Sequence, residues 1–480
     1  MPQHGNIDRK IVTGAALNYA GFFAGKLIVF LNTVILARLL APEHFGLVAL
    51  GLLVLAVAET LAEAGTGAAV VWHGADVEET APVALAVGLL SAGIIVALVL
   101  ALAPAIAAFF HEPEATGIIR ALALCALISA PASVFSGILQ KRMQFGKRLM
   151  PELLKAIAKG AVGIPLALWG FGAWSLVFSQ IAGVVVGLAL LWRLSDWTPR
   201  LSLRPSILRQ VLPYGLNIAA LGLLGLAIKK LDVTIIGYRF DAAQLGHYTL
   251  AFSLVELSVM GLVWAASQAF FPALATTAQN PEALQRMFRK GLGRLFLLVL
   301  PMSAGLAIAA EPFILTLYGA KWAEAADLMR ILAFYAMFYA VGFNVGDVYK
   351  ATGRPQVLTW INLGNLVIAA PLLIAAATFG LKGVAMGQVV LAIILSAISW
   401  ALARRFSGLG PEVLWQALRG PALATAIMAA VCILADRLWF ADLSPPLRLV
   451  SLALLGGVIY GALVGGHMLI RRRRVPEPAE

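Results

Sequence analysis

Charge is scarce in this sequence. Only 12% of its 480 residues are Asp, Glu, Lys or Arg, against 61% that are hydrophobic, and the mean hydropathy is +0.89. A water-soluble domain carries about a quarter of its residues as charges, so a globule with a solvated surface is excluded. Cysteine is nearly absent. Cys125 and Cys432 both fall within apolar runs, which excludes a disulfide framework and a Cys-based zinc site. The six histidines, His4, His44, His73, His111, His247 and His467, are scattered without metal-ligand spacing, so no metal centre is expected. No G-x-x-x-x-G-K-[ST] loop occurs, which argues against nucleotide hydrolysis, and no cofactor is expected. No loop is long enough to hold a soluble catalytic domain. His111, Glu112 and Glu114 cluster in one loop, but a solvated turn explains them better than an acid–base pair. No catalytic residue emerges, and an enzyme is the weaker class.

What the chain has instead is apolar length. A bilayer-crossing helix needs roughly 20 mainly apolar residues. Uncharged runs, with their Gly, Pro and turn breaks, predict spans at 11–37, 46–71, 82–110, 117–139, 150–169, 172–192, 210–238, 243–275, 290–310, 325–349, 356–378, 381–403, 414–435 and 447–470. The first run has no small-residue cleavage site behind it and reads as a retained span. The stretch 150–192 reads as two spans separated by Gly170-Phe171-Gly172. The fold class expected is therefore an all-α polytopic membrane protein of about 14 transmembrane helices.

The net charge of +12 does not point to nucleic acid, because the basic residues sit in short loops between apolar runs. With the N-terminus cytoplasmic, 23 of the 36 Lys and Arg fall inside and eight outside. The positive-inside rule selects that orientation, with both termini cytoplasmic. The Arg471 to Arg474 tail reads as an orientation anchor that touches anionic headgroups. Trp72, Trp169, Trp174, Trp192 and Trp197, near span ends, read as an interfacial belt.

The chain also repeats itself. Leu31-Asn32 and Phe45-Gly46 to Leu50 return 200 residues later as Leu231-Asp232 and Leu245-Gly246 to Leu250. Leu17-Asn18 has a counterpart in Leu216-Asn217, and Phe171-Gly172 with Gln180 returns as Phe379-Gly380 with Gln388. The period covers six spans, an even number, so both copies enter the membrane in the same sense. The expected domains are a six-helix lobe over 1–204, its pseudo-repeat over 205–407, and two extra spans with a basic tail over 408–480.

Six plus six plus two spans, the opening Arg9-Lys10 to Asn18, and Leu36-Ala37-Arg38-Leu39-Leu40-Ala41-Pro42 to Gly46 resemble the polysaccharide transporters. These are Wzx-like oligosaccharide flippases of the multidrug/oligosaccharidyl-lipid/polysaccharide exporter superfamily. The second copy, Asp232 to Gly246 followed by Tyr248, is similar to the family's seventh-to-eighth span junction. The resemblance implies two six-helix lobes in a V around a central cavity, working by alternating access. It implies a bacterial cytoplasmic (inner) membrane location and a polyprenyl-pyrophosphate-linked oligosaccharide as cargo. Membrane lipids, a polysaccharide polymerase and chain-length machinery are the implied partners.

Ionisable residues inside spans are costly in lipid and usually face a wet interior. Lys26, Lys155, Lys159, Lys229 and Lys230 are the candidates for a cationic cavity that receives pyrophosphate. Glu59, Glu63, Asp232 and Glu256 are the candidates for charge balance or ion coupling. Several have a structural competitor: a Lys26–Glu59 ion pair, snorkelling of Lys155 to the interface, and pairing of Lys229 or Lys230 with Asp232, whereas the depth of Lys159 favours the lumen. Asn18, Asn32, Asn217, Gln180, Asn344, Asn362, Asn365 and Gln388 either meet sugar hydroxyls or bond helix to helix, the commoner use. The rival readings are a multidrug cation antiporter, a lipid II flippase, and a membrane glycan ligase or polymerase.

Overall fold

The computed structural model describes residues 25–74, 76–354 and 356–474. The Arg9-Lys10 to Asn18 motif, the start of the first span and the Arg471 to Arg474 side chains lie outside what is described. Every described element is helical. Two compact units divide the chain, Met1–Gly246 and His247–Glu480.

The first unit contains α1 (25–39), α2 (Pro42–Glu63), α3 (Thr66–Trp72), α4 (Val77–Phe109), α5 (Ala115–Ala123), α6 (Cys125–Lys141), α7 (Leu149–Leu168), α8 (Ala173–Leu194), α9 (Pro205–Arg239) and the start of α10 (Ala242–Val255). In the second unit a π-helical turn, Glu256–Met260, leads into α11 (Gly261–Ala275) and α12 (Pro281–Ile308). Then come α13 (Ala310–Leu317), α14 (Ala323–Phe343), α15 (Val345–Ala351), α16 (Gln356–Ala377), α17 (Gly380–Ser407), α18 (Pro411–Ala435) and α19 (Pro445–Arg474).

Among the described residues, twelve helical stretches are long and apolar enough to cross a membrane. Two further expected positions are helical but fall outside that set. Helix α1 is described only from residue 25, and α7 carries Glu152, Lys155 and Lys159 within its length. The outer faces remain apolar where a soluble fold would be polar: Ile94 is 68% exposed, Val367 73% and Val458 69%. Such faces belong against hydrocarbon, and helices suit them because every backbone group is bonded within the segment. Trp72, Trp169, Trp174 and Trp192 are exposed, as a belt requires. Trp197 corrects that expectation. It is buried against Phe135 and Leu139, since the chain turns inward after α8 and the ring fills the unit's own core.

Three interruptions shape these spans. Between α2 and α3, Ala64 and Gly65 both adopt left-handed backbone, with φ of 43° and 63°. Gly65 and Gly215 of α9 press backbone to backbone there. A Cβ on Gly215 would lie 2.1 Å from the Ala64 carbonyl, and one on Gly65 would lie 2.6 Å from the Gly215 carbonyl. The Ala62 carbonyl, freed by the break, accepts the Ser91 hydroxyl, as a buried carbonyl must find a partner. The second interruption is the π turn at Glu256, and the third is Asn344 between α14 and α15.

Within the first unit, the N-terminal turns of α2 and α10 touch through their glycines. A Cβ on Gly46 would sit 1.7 Å from the Ala242 carbonyl, and one on Gly246 would sit 2.0 Å from the Pro42 carbonyl. Beside them, Glu112 accepts the Ala242 amide at 2.8 Å. This loop carboxylate is therefore a helix cap rather than part of a solvated turn, and burial raises its pKa. In the second unit, Arg448 clamps Asp436 through two contacts of 2.7 Å and reaches Glu311 at 3.3 Å, tying α19 to the turn after α18 and to α13.

Candidate functional site

The first unit holds an open cavity of ≈ 640 Å³ between α2, α6, α7 and α8. Each wall follows from helix periodicity. Glu59 and Glu63 stand one turn apart at the end of α2, just before the break. Ser129, Ser133 and Ser136 repeat at i, i+4 and i+7 along α6 and line the opposite side. Glu152, Lys155 and Lys159 project from α7, and α8 supplies Gln180 and Gly183. The serines meet the acids directly. Ser129 donates to Glu59, and Ser133 is a hydrogen-bond partner of Glu63.

The lysines are placed by glycine. Helices α7 and α8 pack closely enough for the Ser179 hydroxyl to donate to the Lys159 carbonyl at 2.8 Å. A Cβ on Gly183 would fall 2.8 Å from Lys159 Cε, and one on Gly187 would fall 2.0 Å from Lys155 Cε. Each lysine stem therefore lies in the gap left by a missing side chain, one turn apart on both helices. Lys155 pairs with Glu152 at 3.0 Å. Lys159 lies within electrostatic range of Lys155, Glu152 and Glu59. The lining thus mixes three carboxylates with two ammoniums, where the sequence suggested an excess of lysine.

The other candidates lie elsewhere. Lys26 is exposed on α1 and does not line this cavity. Lys229 is exposed and Lys230 half-buried on α9, while Asp232 is buried there and accepts the Val233 amide at 2.8 Å. None of these three lines the cavity. Glu256 belongs to the second unit, where it opens the π turn near Tyr339. Asn32 bonds helix to helix, its amide donating to the Ala156 carbonyl at 2.7 Å.

Sequence reading missed two features of the cavity and one group of the second unit. The serine stripe was legible as an i, i+4, i+7 pattern. Gly183 and Gly187 were not, because glycine is common in packed membrane helices. In the second unit Asp347, 1% exposed, takes the Ser267 hydroxyl at 2.6 Å and Lys350 Nζ at 3.2 Å. Its i, i+3 spacing to Lys350 was the available signal. Asn344, one turn before it, is fully buried with neither amide atom bonded.

The glycine placement makes a testable prediction. Gly187→Ala is expected to displace the Lys155 stem and lower the melting temperature, whereas the same change in a Lys155→Ala background is expected to be nearly neutral. A double-mutant cycle on melting temperatures reads the coupling. Equal losses in both backgrounds would show that Gly187 serves helix packing alone.

A family model described as "Polysaccharide biosynthesis protein" matches residues 35–327. The succinoglycan biosynthesis transport protein ExoT of Rhizobium meliloti (strain 1021) is 26% identical over 463 residues, which cover 94% of this chain and 91% of that protein. The lipopolysaccharide biosynthesis protein WzxC of Escherichia coli (strain K12) is 24% identical over 376 residues, covering 76% and 75% respectively. Among solved structures, the lipid II flippase MurJ in an inward closed conformation superposes with a TM-score of 0.76 at 16% identity, covering 95% of this chain and 100% of that one.

Proposed function

We propose, from the premise that this chain belongs to the polysaccharide biosynthesis protein family, that it is a flippase for a lipid-pyrophosphate-linked oligosaccharide. One observation carries the reading: Lys155 and Lys159 line a cavity inside the spans of the first unit, and a pyrophosphate head is what paired ammoniums in a low-dielectric site attract. The names of the relatives, a succinoglycan biosynthesis transport protein and a lipopolysaccharide biosynthesis protein, support the same class.

In this reading the cavity admits the pyrophosphate-sugar head while the polyprenyl tail stays in the bilayer. Glu152, Glu59 and Glu63 balance the lysines when no cargo is present, and Glu59 and Glu63 are the candidates for ion coupling. Ser129, Ser133, Ser136 and Gln180 offer hydroxyls and an amide to the sugar. The lobes over 1–204 and 205–407 alternate access, with the cytoplasmic side holding both termini. The location is a bacterial inner membrane, and a polymerase with its chain-length machinery receives the product. Lys26, Lys229 and Lys230 belong in this reading to the path the head follows.

The test is leaflet accessibility of a polyprenyl-pyrophosphate oligosaccharide in proteoliposomes of the purified chain. Transbilayer movement clearly faster than in protein-free vesicles is the expected result. No acceleration, together with extrusion of a small organic cation, would establish the antiporter instead. Preferential movement of lipid II would reassign the cargo, and sugar transfer to an acceptor would restore the ligase.

A further inference from the structure

The second unit holds another cavity of ≈ 640 Å³, at the ends of its helices rather than between spans. It forms where α12 and α18 begin and α17 ends. Arg286 and Arg289 come from the first turns of α12, Arg404 from the last turn of α17, and Glu412 and Gln416 from the start of α18. From these residues we infer a binding site for the phosphate of an anionic phospholipid headgroup.

Charge, geometry and depth each support the inference. Three guanidiniums face two carboxylates, and the pairing is incomplete. Arg286 reaches Glu282 only at 3.6 Å with both side chains well exposed. Arg289 donates to the neutral amide of Gln416, and Arg404 has no ion-pair partner among the described residues. Two forked cations without a carboxylate partner, in one concave site, match the oxygens of a phosphate. The N-termini of α12 and α18 both open here, so their partial positive charges add to the same field. Asn280 caps α12 by accepting the Ala283 amide, whereas α18 starts at Gly410 with no side-chain cap.

Depth separates a lipid from a soluble phosphate. Trp415, next to Gln416, is 63% exposed at the start of an apolar span. An outward indole in that position sits at the headgroup level of a bilayer. Basic pockets at helix ends on that plane bind anionic headgroups, each Lys or Arg near the surface contributing about 1 kcal/mol.

The experiment is native mass spectrometry of the full chain in detergent, titrated with phosphatidylglycerol and with phosphatidylcholine. Retention of phosphatidylglycerol over phosphatidylcholine is expected, and the double variant Arg289→Gln/Arg404→Gln is expected to weaken it roughly 25-fold. Each single variant should lose roughly fivefold, and Arg120→Gln, in the first unit, should lose nothing. Melting curves of all variants confirm that they fold, and the single variants keep the test valid should the double variant fail. Equal retention of the two lipids, or an unchanged preference in the variants, overturns the proposal. Displacement by inorganic phosphate with no lipid preference also overturns it, in favour of a soluble anion.

Discussion

Lys159→Ala is expected to slow transbilayer movement of the oligosaccharide about thirtyfold or more. Removing a charge that a bound anion needs in a desolvated site costs at least about 2 kcal/mol, and about 1.4 kcal/mol is a factor of ten. The side chain is half-buried in the first-unit cavity, its stem against Gly183 and its charge within range of Glu59 and Glu152. Two roles give different patterns. If Lys159 contacts cargo, removing a nearby acid by Glu59→Gln does not restore the Lys159→Ala variant. If Lys159 only balances Glu59, the double variant recovers, because no uncompensated carboxylate is left in a low-dielectric site. Lys159→Arg is expected to recover part of the rate, since the charge is kept but a planar guanidinium fills the Gly183 gap differently. Initial rates in proteoliposomes, with melting temperatures as a folding control, decide between the two. A Lys159→Ala variant that moves cargo at the wild-type rate would remove this lysine from the transport path.

Gly46→Ala is expected to be the most destabilising single methyl in the described chain. Overpacking a core costs about 1–3 kcal/mol when side chains can adjust. Here the obstacle is the Ala242 carbonyl, 1.7 Å from the new carbon, and backbone cannot rotate aside. The expected cost lies at the upper end of that range, read as a lower melting temperature and poor recovery from the membrane. Gly246→Ala, 2.0 Å from the Pro42 carbonyl, should behave alike. The double variant should lose less than the sum, since one separation of the two turns relieves both clashes. Strict additivity would mean that the two contacts yield independently, and an unchanged melting temperature would mean that the turns are already loose.

The sequence makes the class legible because bilayer crossing imposes a length and a composition that few residues can mask. What Gly46 and Gly246 do stays hidden, because an offset of 200 residues in a row of letters does not say that the turns around two glycines touch. Glu59, Glu63, Lys155 and Lys159 are visible as charges in apolar runs, and the structure gathers all four into one cavity. Lys26 looks equivalent by the same criterion but lies exposed on α1. Depth along a helix can be counted from sequence, whereas the direction of a side chain depends on neighbours far along the chain. Gly183 and Gly187 escape notice for a related reason. Their contribution is an absence that only the facing lysines define. Trp197 misleads in the opposite sense, because an aromatic near a span end also suits the core when the chain turns inward.

The paired glycines of α2 and α10 make a contact that neither side can keep alone. Pro42 meets Gly246 while Ala242 meets Gly46, the i-to-j and j-to-i pattern of an isologous interface. The two halves of the contact belong to different stretches of one chain, so each glycine can be lost separately, and either loss alone blocks an approach that needs both.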